Sequence, residues 1–427
     1  MKKSLLIILS FLCTLGLVSC KKTETAVTPE ELCFDIQRIQ ADMAFSSLKE
    51  LYNPEPFEEL KADVMAGKAD RLECIFRIQK ILKGYKCAHL RLEANDRAAL
   101  FAKRVPFHFY CFGNDNYIYF AVQKYKKYLG WKLIKIGDLS VEDARDRIEN
   151  FSIAPFETVT GEKYEFEYTL NFICLKEAGL VQKNGKARLT LESPDGEIKT
   201  ISCKPITPSK FLRWEKISPE KENTLIYHYD VSKKYIVTPS EEKRTIYVQY
   251  NSCLEDPAYT IQNWFSDIAS ELKTGRYNTV VFDLRYNQGG QMSTQIAIDN
   301  ELWKYKSEFD KCNLAIVTTG RTYSCACKFL NDFITLYPQV VLFGEETGQA
   351  VYNYTGYHVG NNLKKLNCSF VFPQQLDDEP ELFKRAREVT HSDVHCGTLP
   401  DVEVSERFED FMKGQDTIYN AIYDYFN

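Results

Sequence analysis

Ser324 stands where a short apolar strand gives way to a helical pattern, and a hydroxyl in that setting can do two things. Leu314 to Thr318 reads as a buried strand, Gly320-Arg321-Thr322-Tyr323 as the turn after it, and Phe329, Leu330, Phe333, Ile334 and Tyr337 as the apolar face of the next helix. A serine at a helix N-terminus meets unpaired N–H groups and the positive end of the helix dipole. It serves there either as an N-cap or as a nucleophile beside a pocket for negative charge. A second loop has matching chemistry. Thr279-Val280-Val281-Phe282 is an apolar, β-branched run that ends in Asp283-Leu284-Arg285-Tyr286-Asn287-Gln288-Gly289-Gly290. Paired glycines after a buried strand let backbone N–H groups face a site with no Cβ in the way.

The elements around these loops set the class. Thr245 to Asn251 reads as a strand, and Ile261, Trp264, Phe265, Ile268 and Leu272 as one face of a helix before the Asp283 loop. Strand, helix, strand, helix, strand argues for a mainly parallel sheet with crossover helices, an α/β fold. Upstream, Glu31 to Tyr85 is helical, interrupted at Asn53-Pro54-Glu55-Pro56 and closed by Gly84. Pro106 to Lys204 is strand-rich, with a turn at Ser193-Pro194-Asp195-Gly196. Glu142 to Gly179 carries no clear signal, and Lys216 to Lys243 reads as a polar connection over the surface. The expected organisation is 20–30 tether, 31–95 helical module, 96–215 β-rich domain, 216–243 connection and 244–427 the α/β domain that carries both loops.

The start of the chain predicts export. Met1-Lys2-Lys3 is a basic n-region, Leu5 to Val18 an apolar core too short to span a bilayer comfortably, and Leu17-Val18-Ser19-Cys20 has the form of a lipobox. Residues 1–19 are then a signal peptide, with lipid on the Cys20 sulfur and the protein held to a bacterial membrane on the periplasmic or outer side. A net charge of −5 gives no basic face for nucleic acid. At 427 residues and 44% hydrophobic, the chain can pack two or three domains without disulfide staples, so most of its 14 cysteines read as buried thiols. Cys325-Ala326-Cys327 has no second pair to make a metal motif, and no cofactor or metal is expected.

Three motifs in order, Asp283 to Gly290, Ser324-Cys325-Ala326-Cys327 and Gly344-Glu345-Glu346-Thr347-Gly348, resemble those of the tail-specific (C-terminal processing) serine proteases. Gly397-Thr398-Leu399-Pro400-Asp401 is similar to that family's closing strand, and Gly130 to Val141 to its peptide-binding PDZ-like segment. The resemblance implies a crotonase/ClpP-like catalytic domain with a PDZ-like accessory domain, acting on peptide or protein substrates. It makes Ser324 the nucleophile, with the N–H of Cys325 and one from Gly289 or Gly290 as the oxyanion hole. In the processing-protease branch the base is a lysine after the Gly-Glu-x-Thr motif, but Gln349 stands there. Lys328 is carried away from the hydroxyl by its helix. The tricorn-like, retinoid-binding-protein-like branch instead places a histidine after the N-terminal helices. His89 fits that place, with Ala88 where Gly or Ser is usual. Asp393 and Glu345 are the candidate orienting acids, each also readable as a solvated surface acid, and His395 is a fallback base. Cys327 replaces a usual glutamate. The expected function is a lipid-anchored serine endopeptidase; the alternative is a peptide-binding lipoprotein that has lost turnover.

Overall fold

A computed structural model of the chain describes residues 27–96, 100–151, 157–158, 160–164, 170–207, 214–219, 233–351, 353–377, 379–385 and 396–427. The signal peptide, Cys20 and most of the tether lie outside these residues. No described helix is long and apolar enough to cross a membrane.

The central sheet has six strands in the order Val402–Glu403, Val341–Gly344, Asn313–Thr318, Thr279–Asp283, Thr245–Tyr250 and Tyr235–Ser240. The first five run parallel and the last is antiparallel. Strands buried on both faces should be apolar throughout, with successive side chains entering different cores. That is what happens. Val280, Phe282 and Ile316 join a core with Trp264, Phe265, Phe329 and Phe333 from the helices Ile261–Lys273 and Cys325–Leu336. Val281, Ala315 and Val317 face a second core with Phe408, Phe411, Ile418 and Ile422 from the C-terminal helices. The strand Tyr235–Ser240 lies inside the stretch expected to be a surface connection. It is a half-exposed edge strand of mixed composition, so its sequence carries no apolar run.

A second, antiparallel sheet orders Phe107–Phe112, Asp115–Val122, Lys132–Ile136, Ala187–Glu192 and Ile198–Cys203, with Trp214–Lys216 beside Asp115–Val122. The helices Val141–Glu149 and Phe172–Glu177 pack on it through Ala144, Ile148, Cys174 and Leu175. Only Ala144 and Ile148 of the first helix are buried, which is why 142–179 showed no periodicity. Tyr117 and Tyr119, on one face of this sheet's second strand, pack with Phe408 and Phe411 of the helix Phe408–Met412.

The N-terminal helices Pro29–Phe45, Glu55–Met65 and Arg71–Lys83 share one core with a late hairpin, Asn353–Leu363 and Cys368–Asp377. The short strand Arg91–Ala94 completes that hairpin antiparallel to Cys368–Asp377, Arg91 opposite Val371. Asp35 fastens the two parts by accepting the N–H of Lys365 and Leu366 at 2.6 and 2.8 Å. The turn between Lys83 and Arg91 is thereby fastened to the late hairpin. Every cysteine among the described residues is a free thiol, and all but Cys312 and Cys396 are buried.

Candidate active site

The turn after Gly84 presents His89, and the turn after Thr318 presents Ser324, with His89 Nε2 3.2 Å from Ser324 Oγ. Ser324 precedes the helix Cys325–Leu336, but its side chain makes no capping bond. Its backbone sits at φ 55° and ψ −127°, a conformation that costs a non-glycine residue on the order of 1–3 kcal/mol. Strain of this kind at a strand-to-helix turn lifts a side chain out of the loop and exposes its oxygen. Neighbours hold it in place. Ser324 N–H donates to Gln349 Oε1 at 2.6 Å, Tyr323 N–H to the Asn287 carbonyl at 3.0 Å, and Cys327 N–H to the Ser324 carbonyl at 2.8 Å. Gln349, at the position where the processing branch carries lysine, therefore braces the serine loop. Its own Nε2 is buried with no partner among the described residues.

The glycine pair packs directly on this loop. A Cβ on Gly289, at φ +93°, would come within 2.6 Å of Ser324 Cβ and 2.8 Å of Cys325 N. Only glycine allows that approach. Of the three expected oxyanion donors, Gly289 must be set aside, because its N–H already donates to Asn287 Oδ1 at 2.9 Å. Cys253 N–H donates to the Gly289 carbonyl and the Cys253 carbonyl accepts the Gln291 N–H, which leaves the Gly290 N–H outside that ladder. Cys325 is the first residue of its helix, where backbone N–H groups have no intrahelical partner. Of the expected donors, the N–H groups of Gly290 and Cys325 are the two not engaged in these backbone bonds. The Cys253 thiol hydrogen-bonds that of Cys325 and lowers it, while burial pushes Cys253 well up.

Behind His89 lies a group that sequence reasoning missed. Glu157 is 3% exposed. Its Oε1 accepts the Tyr323 hydroxyl at 2.7 Å and the Ala88 N–H at 2.9 Å, and its Oε2 accepts the Ala350 N–H at 3.0 Å. Tyr323 O is in turn 3.3 Å from His89 Nδ1. Burial pushes the Glu157 carboxyl up to about 7, against the pull of those donors. Burial and then the charge of Glu157 hold the Tyr323 phenol far above its ordinary range, so it keeps its proton. When Glu157 is ionised, the Tyr323 hydroxyl donates to the carboxylate, and Tyr323 O can only accept from Nδ1–H. The lone pair of His89 is then on Nε2, facing Ser324. Glu157 is positioned by the loop after the strand Val341–Gly344: its N–H donates to the Gly348 carbonyl and the Thr158 hydroxyl to that of Thr347. The residues flanking Glu157 show no pattern that could have flagged it. Tyr323 was visible beside Ser324 but had no signal of its own.

The other candidates fall elsewhere. Glu345 is neither beside His89 nor a solvated acid. It is buried, bonded to Lys163 Nζ and Tyr164 OH at 2.6 Å each. Lys328 pairs with Asp332 at 2.7 Å, one turn along its own helix. Cys327 is buried against the Thr322 carbonyl. Asp393 and His395 lie outside the described residues. Ser324 and His89 open into a cleft of about 630 Å³, lined also by Arg91, Gln288, Met292, Gln375 and Glu379.

In overall shape the chain is similar to mature CPAF, with a TM-score of 0.57 at 8% identity over 93% of this chain and 96% of that one. The CPAF complex with lactacystin gives 0.58, also at 8% identity, over 93% and 97%. The photosystem II D1 C-terminal processing protease aligns over 87% of this chain and 93% of its own at a TM-score of 0.43 and 10% identity. No protein-family profile matches the chain. No curated protein matches it. At these identities the likeness concerns the fold, and the chemistry has to be argued from the residues above.

Proposed function

We propose that this chain is a serine endopeptidase, exported and tethered to a bacterial membrane through lipid on Cys20, that hydrolyses extended peptides in the Ser324 cleft. The observation that carries the reading is the 3.2 Å approach of His89 Nε2 to a strained, non-capping Ser324 hydroxyl. His89 Nε2 takes the hydroxyl proton as Oγ bonds to the peptide carbonyl carbon. The carbonyl oxygen becomes an oxyanion, held by the N–H groups of Gly290 and Cys325, each donor being worth about 3 kcal/mol in the transition state. The imidazolium returns the proton to the departing amine, leaving an ester on Ser324. Water, deprotonated by the same ring, then releases the acid. Tyr323 and Glu157 touch no substrate in this scheme; they set the tautomer of His89 and stabilise its charged form.

A fluorophosphonate probe is expected to label the wild-type chain and not Ser324→Ala, and His89→Ala should lose both labelling and hydrolysis of unfolded protein substrates. Labelling that persists in Ser324→Ala would remove the serine from the scheme. A wild-type chain that binds peptides without ever labelling would leave the fold as a peptide receptor.

A further inference from the structure

The far side of His89 holds a set of donors of which the hydrolytic scheme leaves one, Cys87, unused. Cys87, His89 and Glu157 are all buried, and one ligand atom from each lies within 4.8 Å of the others. We propose that these three residues bind a thiophilic divalent cation such as Zn²⁺, and that its binding switches the candidate base off. The regulatory part of this proposal rests on the reading of His89 given above.

Thiolate, imidazole and carboxylate are the donor types that Zn²⁺ takes, with bonds of roughly 2.0–2.3 Å. Tetrahedral geometry then sets donors about 3.5 Å apart, so the three side chains must draw together by about 1 Å. An independent observation points to a cation. Glu157 is a buried carboxylate whose described partners are two backbone N–H groups and a phenol, with no lysine or arginine. Four other buried acids are answered by cations: Glu345 by Lys163, and Asp283, Glu406 and Asp416 by Arg285. A buried charge without a counter-charge is costly, and a metal ion would supply one.

The switch follows from the two nitrogens of one ring. Nε2 faces Ser324, and Nδ1 faces Tyr323 and, through it, Glu157. A neutral imidazole binds a metal through a lone pair, so occupation of Nδ1 puts the remaining ring proton on Nε2. That nitrogen then donates toward Ser324 instead of accepting its proton, and the hydroxyl stays inert. In binding, the Cys87 thiol releases one proton to solvent and forms the metal–sulfur bond. Water or the Tyr323 oxygen completes the coordination. Nothing in the oxyanion pocket has to move.

The test uses the whole mature chain, stripped with EDTA and titrated with Zn²⁺ or Co²⁺ alone. Zn²⁺ should slow fluorophosphonate labelling of Ser324 at least tenfold, with recovery on adding EDTA. Cys87→Ala and the size-conserving Cys87→Ser should label at the wild-type rate without metal, which also reports that they are folded, and should need at least tenfold more Zn²⁺ for the same inhibition. Co²⁺ should give wild type a thiolate-to-metal charge-transfer band that both variants lack. The band needs no turnover, so it reports the site even where the hydrolase reading fails. Its absence from wild type, or equal Zn²⁺ sensitivity in the Cys87 variants, overturns the proposal. So does a band that appears with no change in labelling rate.

Discussion

Two buried polar networks hang from the same pair of parallel strands and are built on opposite principles. At the end of Thr279–Asp283, Arg285 is 1% exposed and meets three carboxylates: Asp283 at 2.7 Å, Glu406 at 2.9 Å and Asp416 at 2.8 Å. Tyr247 adds a hydroxyl to Asp283, and Tyr110 donates to Glu406 at 2.6 Å. Asp416 also caps the last helix, Thr417–Phe426, so the network ties the central sheet to the C-terminus. At the end of Asn313–Thr318, the chain from Ser324 through His89 and Tyr323 to Glu157 has one acid, and among the described residues that acid bonds backbone N–H groups and a phenol, with no lysine or arginine. The first network holds a permanent charge with permanent partners and can only be right or broken. The second has a carboxyl raised to about 7 and a ring with two tautomers, so a single proton rearranges it. A scaffold calls for the first kind of network and a site that moves protons for the second.

The sharpest way to break this contrast is at Arg285. Arg285→Met should cost about 3–5 kcal/mol of stability, because it strands buried carboxylates around an apolar side chain. Urea denaturation would measure it. A variant as stable as wild type would mean the three acids had simply taken up protons, and the supposed difference between the networks would vanish.

Glu157→Gln should act on rate instead. With EDTA present, wild-type labelling of Ser324 should rise with pH through about 7, as the carboxyl ionises and turns the Tyr323 hydroxyl away from Nδ1. The Gln variant should lose that rise and run about 100-fold slower at pH 8, the scale of a weakened general base. Its effect on stability has a defined sign. An acid raised in the folded state, from 4.5 to about 7, favours folding below 4.5 and loses that contribution as pH climbs through about 7. Wild type should therefore lose stability between those pH values, and Glu157→Gln should not. Parallel stability curves would show that Glu157 has a cation partner after all.

The smallest effect is expected from Tyr323→Phe, which removes the hydroxyl between ring and carboxylate but leaves both. A loss of about tenfold in labelling rate, with the pH step weakened, would place Tyr323 as a positioning residue. An unchanged pH step would mean that Glu157 reaches His89 without it.

Much of this was legible beforehand, for reasons that differ by element. The parallel strands announce themselves as apolar runs because both faces are buried. The helix after Ser324 shows its stripe because one face packs on Phe282. Ser324 and His89 could be named because their motifs are local and similar to those of a known family. Two points lay beyond local sequence. The choice between Gly289 and Gly290 stayed open because a glycine pair shows that N–H groups are accessible, not which one a neighbouring Asn287 will claim. Glu345 was taken for a solvated acid because nothing near it in sequence announces Lys163 and Tyr164, which lie about 180 residues upstream.

The sequence by itself determined the layers around the parallel sheet, the serine at its strand-to-helix turn and the histidine after the N-terminal helices. Each follows from side-chain periodicity or from residues close together in the chain. Tertiary structure alone decided that His89 meets Ser324 across 235 positions, that Glu157 stands behind them, and that Gln349 braces the serine loop. The reason is physical. Periodicity records only whether a residue faces a core, whereas a hydrogen bond between distant loops depends on how whole elements dock, and docking is set by the summed packing of the cores that join them.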